Sequence, residues 1–358
     1  MNFSSLRFWI VLTGFVLVIG VASAAAQVKA VNPLHCDFWP PMPDNLDSAA
    51  VLWYNPSGGE VEYSVINMSV FPSNNPYTVP IPPTVSDLTW NAVACGDFNG
   101  DGFADVAWVQ NGTNAVSLWL TQPNCPPYAP PCNVVLTQSC TFAPSSPWQV
   151  EAAADMNGDG KLDLLWRNPS TGQHVIWYLD GCTVLSMVPF VTVSDPNWRV
   201  KATGDFNGDG NADLLWLNTN TGVMAIWLMN NTTVLSSAVF GPYPGWRVAQ
   251  VADFNADGKS DILWQNDSTG QVSIWYMDGL WPTSFYNFTV PIGWEAVGAD
   301  DYDINGTGTQ AADILWVNYT LDEWAVWLLN APTQGTTTEW GPWTFGSGWQ
   351  VVSGTMWP

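Results

Sequence analysis

The sequence predicts an all-β fold, a β-propeller of about six four-stranded blades, on the basis of three recurring features. An Asp-rich loop leads into a Leu-Trp strand, or a close variant of it, about every fifty residues. A Trp-x-Val segment or a variant of it precedes most of these loops, and a further tryptophan follows about eleven residues after the Leu-Trp pair. Self-similarity at this period is typical of propeller blades or solenoid coils.

Each repeat carries local signals for four strands. The segments WRVAQVADF, DILWQN and VSIWYMDG are short, apolar and rich in Val, Ile and Trp, and TVLSSAVF supplies the fourth kind of strand. Segments such as NDSTGQ and NTNTGV have the residues of tight turns. Four antiparallel strands per repeat make one propeller blade. A β-solenoid is the alternative architecture, but its coils are usually much shorter than this period.

The two ends of the chain predict how the ring closes. The first repeat, residues 44–67, has a Leu-Trp strand but no Trp-x-Val strand directly before it. The last segment, GWQVVSGTMW, is a Trp-x-Val strand with nothing after it. One blade assembled from N- and C-terminal strands would close six blades and remove two exposed sheet edges. The alternative is a seventh, partial blade, with an inner strand from residues 32–38.

Residues 1–26 have the pattern of a secretory signal peptide. One positive charge in Met1–Arg7 precedes the almost continuously apolar Phe8–Val21, and ASAAAQ offers cleavage after Ala24 or Ala26. An uncleaved membrane anchor is the alternative. We therefore expect residues 27–358 to form a single secreted, extracellular propeller domain that contains no further membrane span. Its oligomeric state is left open.

Cysteine usage and charge narrow the class of protein. The six cysteines fit an oxidising compartment, where three disulfides are possible and fifteen connectivities are open. Cys125, Cys132 and Cys140 lie close together in a Pro-rich insertion, which we expect to be held by disulfides. The net charge of −23 and the pI near 4.1 argue against nucleic acid as a partner, because eight Lys and Arg side chains cannot neutralise a phosphate backbone.

Asparagine-linked glycosylation is expected in a secreted eukaryotic protein with this sequence. After residue 26, and without Asn-Pro-Ser, eight Asn-x-Ser/Thr acceptors occur, at Asn67, Asn111, Asn230, Asn231, Asn266, Asn287, Asn305 and Asn318. Asn- and Thr-rich turns also produce this pattern by chance, so the sequence does not select among them.

Four loops share the pattern D-x-N-x-D-G-x-x-D, which predicts Ca²⁺ binding. Alternate carboxylate and amide oxygens surround a Gly turn, position seven offers a backbone carbonyl, and position nine is a last Asp at the start of a strand. Without a cation, the clustered carboxylates would repel and raise one another's pKa. Solvated, metal-free Asx turns are the alternative. The predicted ligands are Asp97, Asn99, Asp101, Phe103 and Asp105; Asp155, Asn157, Asp159, Lys161 and Asp163; Asp205, Asn207, Asp209, Asn211 and Asp213; and Asp253, Asn255, Asp257, Lys259 and Asp261.

A fifth loop is a less regular copy. It keeps Asp301, Asp303 and Asn305 but inserts residues before Asp313, so a fifth Ca²⁺ site is left open beside the four regular ones. The first repeat has lost the pattern, and we expect no cation there.

These repeats resemble the FG-GAP/VCBS family, found in integrin α-chain heads and in secreted microbial and fungal propellers. D-x-N-x-D-G-x-x-D followed by Leu-Leu-Trp carries the resemblance, which spans residues 90–330. The TGxxxxW continuation is similar to a fungal propeller lectin that binds N-acetylglucosamine between blades. The resemblance implies calcium in the four matching loops. The integrin-type Gly-Ala-Pro element is absent, so integrin-like partner binding is not implied.

The tryptophans and the scarcity of catalytic motifs suggest the function. Most of the 24 tryptophans occupy repeat positions, where packing between blades is expected, but Trp281, Trp340 and Trp343 lie in polar, Gly/Pro-containing segments and are candidates for stacking on a ligand.

We expect a non-catalytic module that binds a glycan, in a lectin-like manner, or an extracellular protein in adhesion. The alternatives are a polysaccharide-degrading enzyme on the same fold and a purely structural module. Arg167 is the only basic residue at its repeat position, and a charged pair in one blade would favour the enzyme; His174 is expected to be structural.

Overall fold

The computed structural model describes residues 49–66, 77–81, 83, 85–124, 133–300, 302, 311–329, 337–344 and 349–352. These residues form twenty-four β-strands, which confirms the all-β prediction. Across these ranges no helix is long and apolar enough to cross a membrane. The expected signal peptide, residues 1–26, lies outside them.

The strands form six four-stranded antiparallel blades. Blade 1 contains β1 (Ala49–Asn55), β2 (Glu60–Ile66), β3 (Tyr77–Pro80) and β24 (Gln350–Val352). Blade 2 contains β4 (Trp90–Gly96), β5 (Asp105–Gln110), β6 (Val116–Asn124) and β7 (Asn133–Phe142). Blade 3 contains β8 (Gln149–Ala154), β9 (Asp163–Asn168), β10 (Gln173–Asp180) and β11 (Thr183–Thr192). Blade 4 contains β12 (Trp198–Gly204), β13 (Asp213–Asn218), β14 (Met224–Asn230) and β15 (Thr233–Phe240). Blade 5 contains β16 (Arg247–Ala252), β17 (Asp261–Asn266), β18 (Gln271–Asp278) and β19 (Trp281–Thr289). Blade 6 contains β20 (Glu295–Asp300), β21 (Asp313–Asn318), β22 (Glu323–Leu329) and β23 (Thr337–Thr344).

Blade 1 closes the ring as the sequence predicts. The C-terminal strand β24 pairs antiparallel with the N-terminal strand β1, with Trp53 opposite Val351. Strands from the two ends of the chain therefore share one sheet, and the propeller has six blades. Residues 32–38, considered as part of a seventh blade, lie outside the described residues.

Burial within a blade follows strand order. The second strands, which carry the Leu-Trp pairs, are buried along almost their whole length, whereas the outer strands β11, β15 and β19 are mostly exposed. Inner strands of successive blades contact one another from β8 through β12 and β16 to β20. The first strands therefore surround the centre and the fourth strands form the rim.

The Leu-Trp tryptophans pack between blades, as predicted. Trp108, Trp166 and Trp216 are each 1% exposed. Trp216 lies 4.9 Å from the ring of Trp227 in its own blade and 5.4 Å from the ring of His174 in blade 3, measured between centroids. Large aromatic side chains thus fill the wedge between neighbouring sheets.

A disulfide ties two blades together. Cys140 on β7 of blade 2 is bonded to Cys182, in the turn between β10 and β11 of blade 3. Cys140 is therefore not paired with the cysteines nearest to it in sequence, Cys125 and Cys132, which lie outside the described residues. Cys95 is also disulfide-bonded.

Candidate functional site

The four regular Asp-rich loops connect the first and second strands of blades 2 to 5, at one end of the ring. In the loop of blade 4, Asp205 Oδ1 accepts hydrogen bonds from the N–H groups of Gly208 (2.7 Å) and Asp209 (3.1 Å). Asp205 Oδ2 accepts from the N–H of Gly210 (2.7 Å), and Asn207 Oδ1 accepts from Asp209 (3.0 Å). The first Asp thus organises the turn, and its sisters Asp97, Asp155 and Asp253 make corresponding bonds.

The loop backbone needs a left-handed residue at positions four and six. Gly210, at position six, has φ +82° with open space beside its α-carbon. Position four has φ +75° at Gly208, and Ala256 takes the same place in blade 5 with φ +59°. Glycine adopts this region without steric cost, whereas alanine does not.

The Asp at position nine points into the blade. Asp213 is fully buried; its Oδ2 accepts from the N–H of Phe206 (2.9 Å) and its Oδ1 from the N–H of Met229 on the third strand (2.7 Å). Each oxygen keeps a further lone pair, so its role as a ligand stays a prediction. The same two bonds are made by Asp105, Asp163, Asp261 and also Asp313. The bracing of the third strand is a role that the sequence analysis missed.

Burial makes these carboxyls costly to ionise. It raises the pKa of Asp213 and Asp163 to about 7 and that of Asp105 and Asp261 to about 8. For Asp213, the nearby charges of Asp205 and Asp209 raise the pKa further, whereas its two backbone hydrogen bonds lower it. A cation in the loop would oppose the repulsion between these carboxylates.

The donor set fits a hydrated divalent cation. Each loop offers side-chain oxygens from two Asp and one Asn, and a backbone carbonyl at position seven, which are the hard ligands that calcium prefers. In blades 3 and 5 the residue at position seven is a lysine, but Lys161 and Lys259 bind Asp180 and Asp278 (2.7 and 2.9 Å), leaving the carbonyl as the predicted donor. Among the described residues, no three Asp, Glu, His or Cys side chains converge on a common metal position.

The loops are also bonded to one another from blade to blade. The N–H at position eight of one loop donates to the carbonyl at position one of the loop in the preceding blade. The pairs are Leu162 to Asp97 (3.0 Å), Ala212 to Asp155 (3.4 Å), Ser260 to Asp205 (2.6 Å) and Ala312 to Asp253 (2.7 Å). A further bond comes from the turn between the third and fourth strands of blade 5. There the N–H of Gly279 donates to the carbonyl of Phe206 in the Asp-rich loop of blade 4 (2.7 Å). The Asp-rich loops therefore hold neighbouring blades together.

Of the other predicted site residues, the structure describes the side chain of Trp281. Asp301, Asp303 and Asn305 of the fifth loop lie outside the described residues, as do the side chains of Trp340 and Trp343 on β23. Trp281, at the start of β19, is 60% exposed, and among tryptophans with described side chains it is the only exposed one. Trp281 is thus available to a ligand.

A charged cluster in blade 3 breaks the repeat. His174 Nε2 lies 2.7 Å from Glu151 Oε2, and both side chains are buried. Arg167, opposite His174 in the sheet, is fully buried; its Nη2 lies 3.5 Å from the carbonyl of Asp195, and burial lowers its pKa. Arg199 Nη1, in blade 4, lies 3.6 Å from Glu151 Oε1.

This cluster is an inter-blade contact, and a polysaccharide cannot reach it. Blade 2 has Val93, Val109 and Val116 at the positions of Glu151, Arg167 and His174, and the valines are buried as well. Blade 3 therefore contains a charged pair of the kind that would favour an enzyme, but the side chains of Glu151, Arg167 and His174 are buried.

Comparison with known families adds to this geometry. The model of the FG-GAP-like repeat matches residues 97–166 and 205–264. The chain carries FG-GAP-like repeats. The two matched stretches contain all four regular Asp-rich loops, each followed by its Leu-Trp strand or the variant of it in blade 2. The matched stretches run from the Asp-rich loop of blade 2 to the second strand of blade 3, and from the loop of blade 4 to the second strand of blade 5.

Similarity to solved structures is low. The pore of the Photorhabdus luminescens Tc holotoxin gives a TM-score of 0.46 at 14% identity over 84% of this chain and 16% of its own. Raptor from Chaetomium thermophilum gives 0.45 at 12% identity over 90% of this chain and 25% of its own. A putative 6-phosphogluconolactonase from Bacteroides fragilis gives 0.40 at 12% identity over 84% of this chain and 95% of its own. The chain thus spans a quarter or less of the first two proteins. The comparison with curated proteins gave no match.

Proposed function

We propose that this FG-GAP-like propeller is a secreted, calcium-stabilised module that binds glycans without catalysis. The exposure of Trp281 carries the proposal. Its indole stands in solvent at 60%, while the Leu-Trp tryptophans of the ring are buried between blades. An exposed indole offers a flat apolar face to the C–H face of a sugar ring, and aromatic side chains of this kind dominate binding energy at interfaces.

Two further observations support the proposal. The Asp-rich loops present hard oxygen donors in four similar copies, which suits repeated calcium binding. The disulfide between Cys140 and Cys182 is of a kind that persists in oxidising compartments, which agrees with export.

A glycan array tests the proposal, with the full secreted chain in calcium and in chelator. We expect binding to at least one glycan class, and a loss of roughly tenfold or more in affinity for Trp281→Ala, about 1.4 kcal/mol. Ile292→Ala is the matched control, because Ile292 is an exposed apolar residue (69%) on another part of the surface. Absence of binding by the folded, calcium-loaded protein would contradict glycan recognition. Polysaccharide turnover would favour the enzyme instead.

A further inference from the structure

The predicted glycosylation acceptors differ in solvent exposure, which the sequence alone does not show. Asn266 and Asn318 are only 9% and 4% exposed, and their Oδ1 atoms accept turn hydrogen bonds from Ser268 (3.2 Å) and Thr320 (3.0 Å). A glycan on either side chain would have no room in the folded ring. Asn111, Asn230 and Asn287 are exposed, and Asn231 is half-buried. Asn67 and Asn305 lie outside the described residues.

Asn287 differs from the other exposed acceptors in its neighbours. It lies on the outer strand β19, where Phe285 pairs with Trp275 and Asn287 pairs with Ser273. Side chains two residues apart on a strand share a face at about 7 Å, so Phe285, Asn287 and Thr289 stand in one row. All three are exposed, Phe285 by 44%.

The other acceptors lack an exposed ring in this place. The residue two before Asn111 is Val109, which is buried, and the residue two before Asn231 is the buried Met229. Leu228, two before Asn230, is half-buried and has no ring. Among the acceptors that the structure describes, Asn287 alone is exposed with an exposed aromatic side chain beside it on the same strand face.

We propose that Asn287 carries an N-linked glycan and that the ring of Phe285 packs against its first sugar. This inference rests on the export that the proposed function assumes. In the transfer, Asn287 Nδ2 forms a C–N bond to the anomeric carbon of an oligosaccharide on a polyisoprenyl diphosphate. The C–O bond to the diphosphate breaks, the diphosphate leaves with the electron pair, and one amide proton is lost to a base of the transferase. Thr289 supplies the hydroxyl of the acceptor sequence.

The glycan would protect an exposed sheet edge. Strand β19 is the outer strand of blade 5, and both Trp281 and Phe285 are exposed on it. An exposed edge with apolar side chains is a template for pairing with another chain. A bulky, hydrated sugar at Asn287 would cover Phe285 and block such pairing, while Trp281 lies six residues earlier at the other end of the strand.

Site-specific mass spectrometry tests the proposal on the full chain. The protein is produced by eukaryotic secretory cells in two arms, with its own leader and with an established leader joined at residue 27. Glycans are removed enzymatically in H₂¹⁸O, which marks each occupied Asn as labelled Asp. We expect Asn287 to be occupied in most molecules, and Asn266 and Asn318 to be unmodified. Secreted, folded protein with unmodified Asn287 would overturn the proposal. Export only with the foreign leader would contradict the proposed secretion, while the glycan would still be tested in that arm.

A second measurement tests the role of Phe285. The rate of enzymatic glycan release from the folded protein is compared for wild type, Phe285→Ala and Phe285→Leu. We expect release to be several times faster in both variants, since neither has a ring over the sugar. Leu235→Ala, an exposed apolar residue on β15, is the control and should leave the rate unchanged. Equal rates in all four proteins would overturn the packing of Phe285 on the sugar. Melting temperatures show that each variant is folded.

Discussion

The backbone N–H of Ser260 donates a hydrogen bond to the carbonyl of Asp205 at 2.6 Å, and this bond joins the Asp-rich loops of blades 5 and 4. The same bond recurs between the loops of each successive pair of blades from blade 2 to blade 6. A well-ordered loop therefore holds in place the backbone carbonyl that accepts a hydrogen bond from the loop of the next blade. A ligand that orders these loops should stabilise the ring as a unit, because each loop is bonded to its neighbour.

Removal of calcium should lower the melting temperature of the protein by ten degrees or so, and added calcium should restore it. The physical reason is the cluster of carboxylates in each loop, which repel when no cation lies between them. Differential scanning fluorimetry in chelator and in a calcium titration measures the effect. A magnesium titration is the control, since magnesium tolerates this irregular oxygen geometry less well. Identical melting curves in chelator and calcium would rule out a stabilising cation.

Ala256→Gly should stabilise the protein by roughly 0.5–1 kcal/mol, because Ala256 occupies a left-handed position at which three sister loops have glycine. The reciprocal change, Gly208→Ala, should destabilise it by about 1 kcal/mol or more, since Gly208 has φ +75°. Denaturant unfolding in calcium measures both. A stability change of the same sign in the two variants would contradict the interpretation.

The repeated blades and the closure of the ring could be predicted from the sequence. The recurrence of Leu-Trp and of the Asp-rich loop predicted the blades, and the unmatched terminal segments predicted the pairing of β1 with β24. Turn asparagines such as Asn168 and Asn218 make the bonds typical of their residue type, with Oδ1 accepting a hydrogen bond from the N–H two positions later. These features were predictable because each depends on local spacing or on a repeated position.

The contacts between blades could not be predicted from the sequence. The bond from Ser260 to Asp205 joins backbone atoms, which carry no sequence signal. The disulfide partner of Cys140 lies 42 residues away, and spacing does not select it. The pair of Glu151 and His174 comes from strands β8 and β10, and its signal was His174, whose sister residues Val116, Met224 and Val272 are apolar.

Loss of the disulfide should destabilise the protein by about 4 kcal/mol in the chain-entropy model, because it closes a loop of 42 residues in the unfolded chain. The double variant Cys140→Ser with Cys182→Ser measures this by denaturant unfolding, and avoids a free thiol. We expect the midpoint to fall while calcium still raises the melting temperature. An unchanged midpoint would mean that the bond between blades 2 and 3 contributes nothing to stability.

In the charged cluster of blade 3, one substitution should lower the stability of the protein, whereas replacing three charged residues together should not. Glu151→Val leaves Arg167 buried without the carboxylate that attracts it most strongly, and a buried charge that loses its partner typically costs about 3–5 kcal/mol. The triple variant Glu151→Val, Arg167→Val and His174→Val copies the apolar row of blade 2. It removes every buried charge of the row, and such replacements are typically neutral or stabilising by about 1–4 kcal/mol.

Denaturant unfolding of the wild type, the single variant and the triple variant tests this difference. The triple variant should be at least as stable as the wild type, although it contains the destabilising change. Trp216 packs on His174 at 5.4 Å, and a crystal structure of the triple variant would show whether this contact between blades 3 and 4 is kept. A triple variant less stable than the wild type would contradict this expectation and would mean that the three charged side chains stabilise the ring.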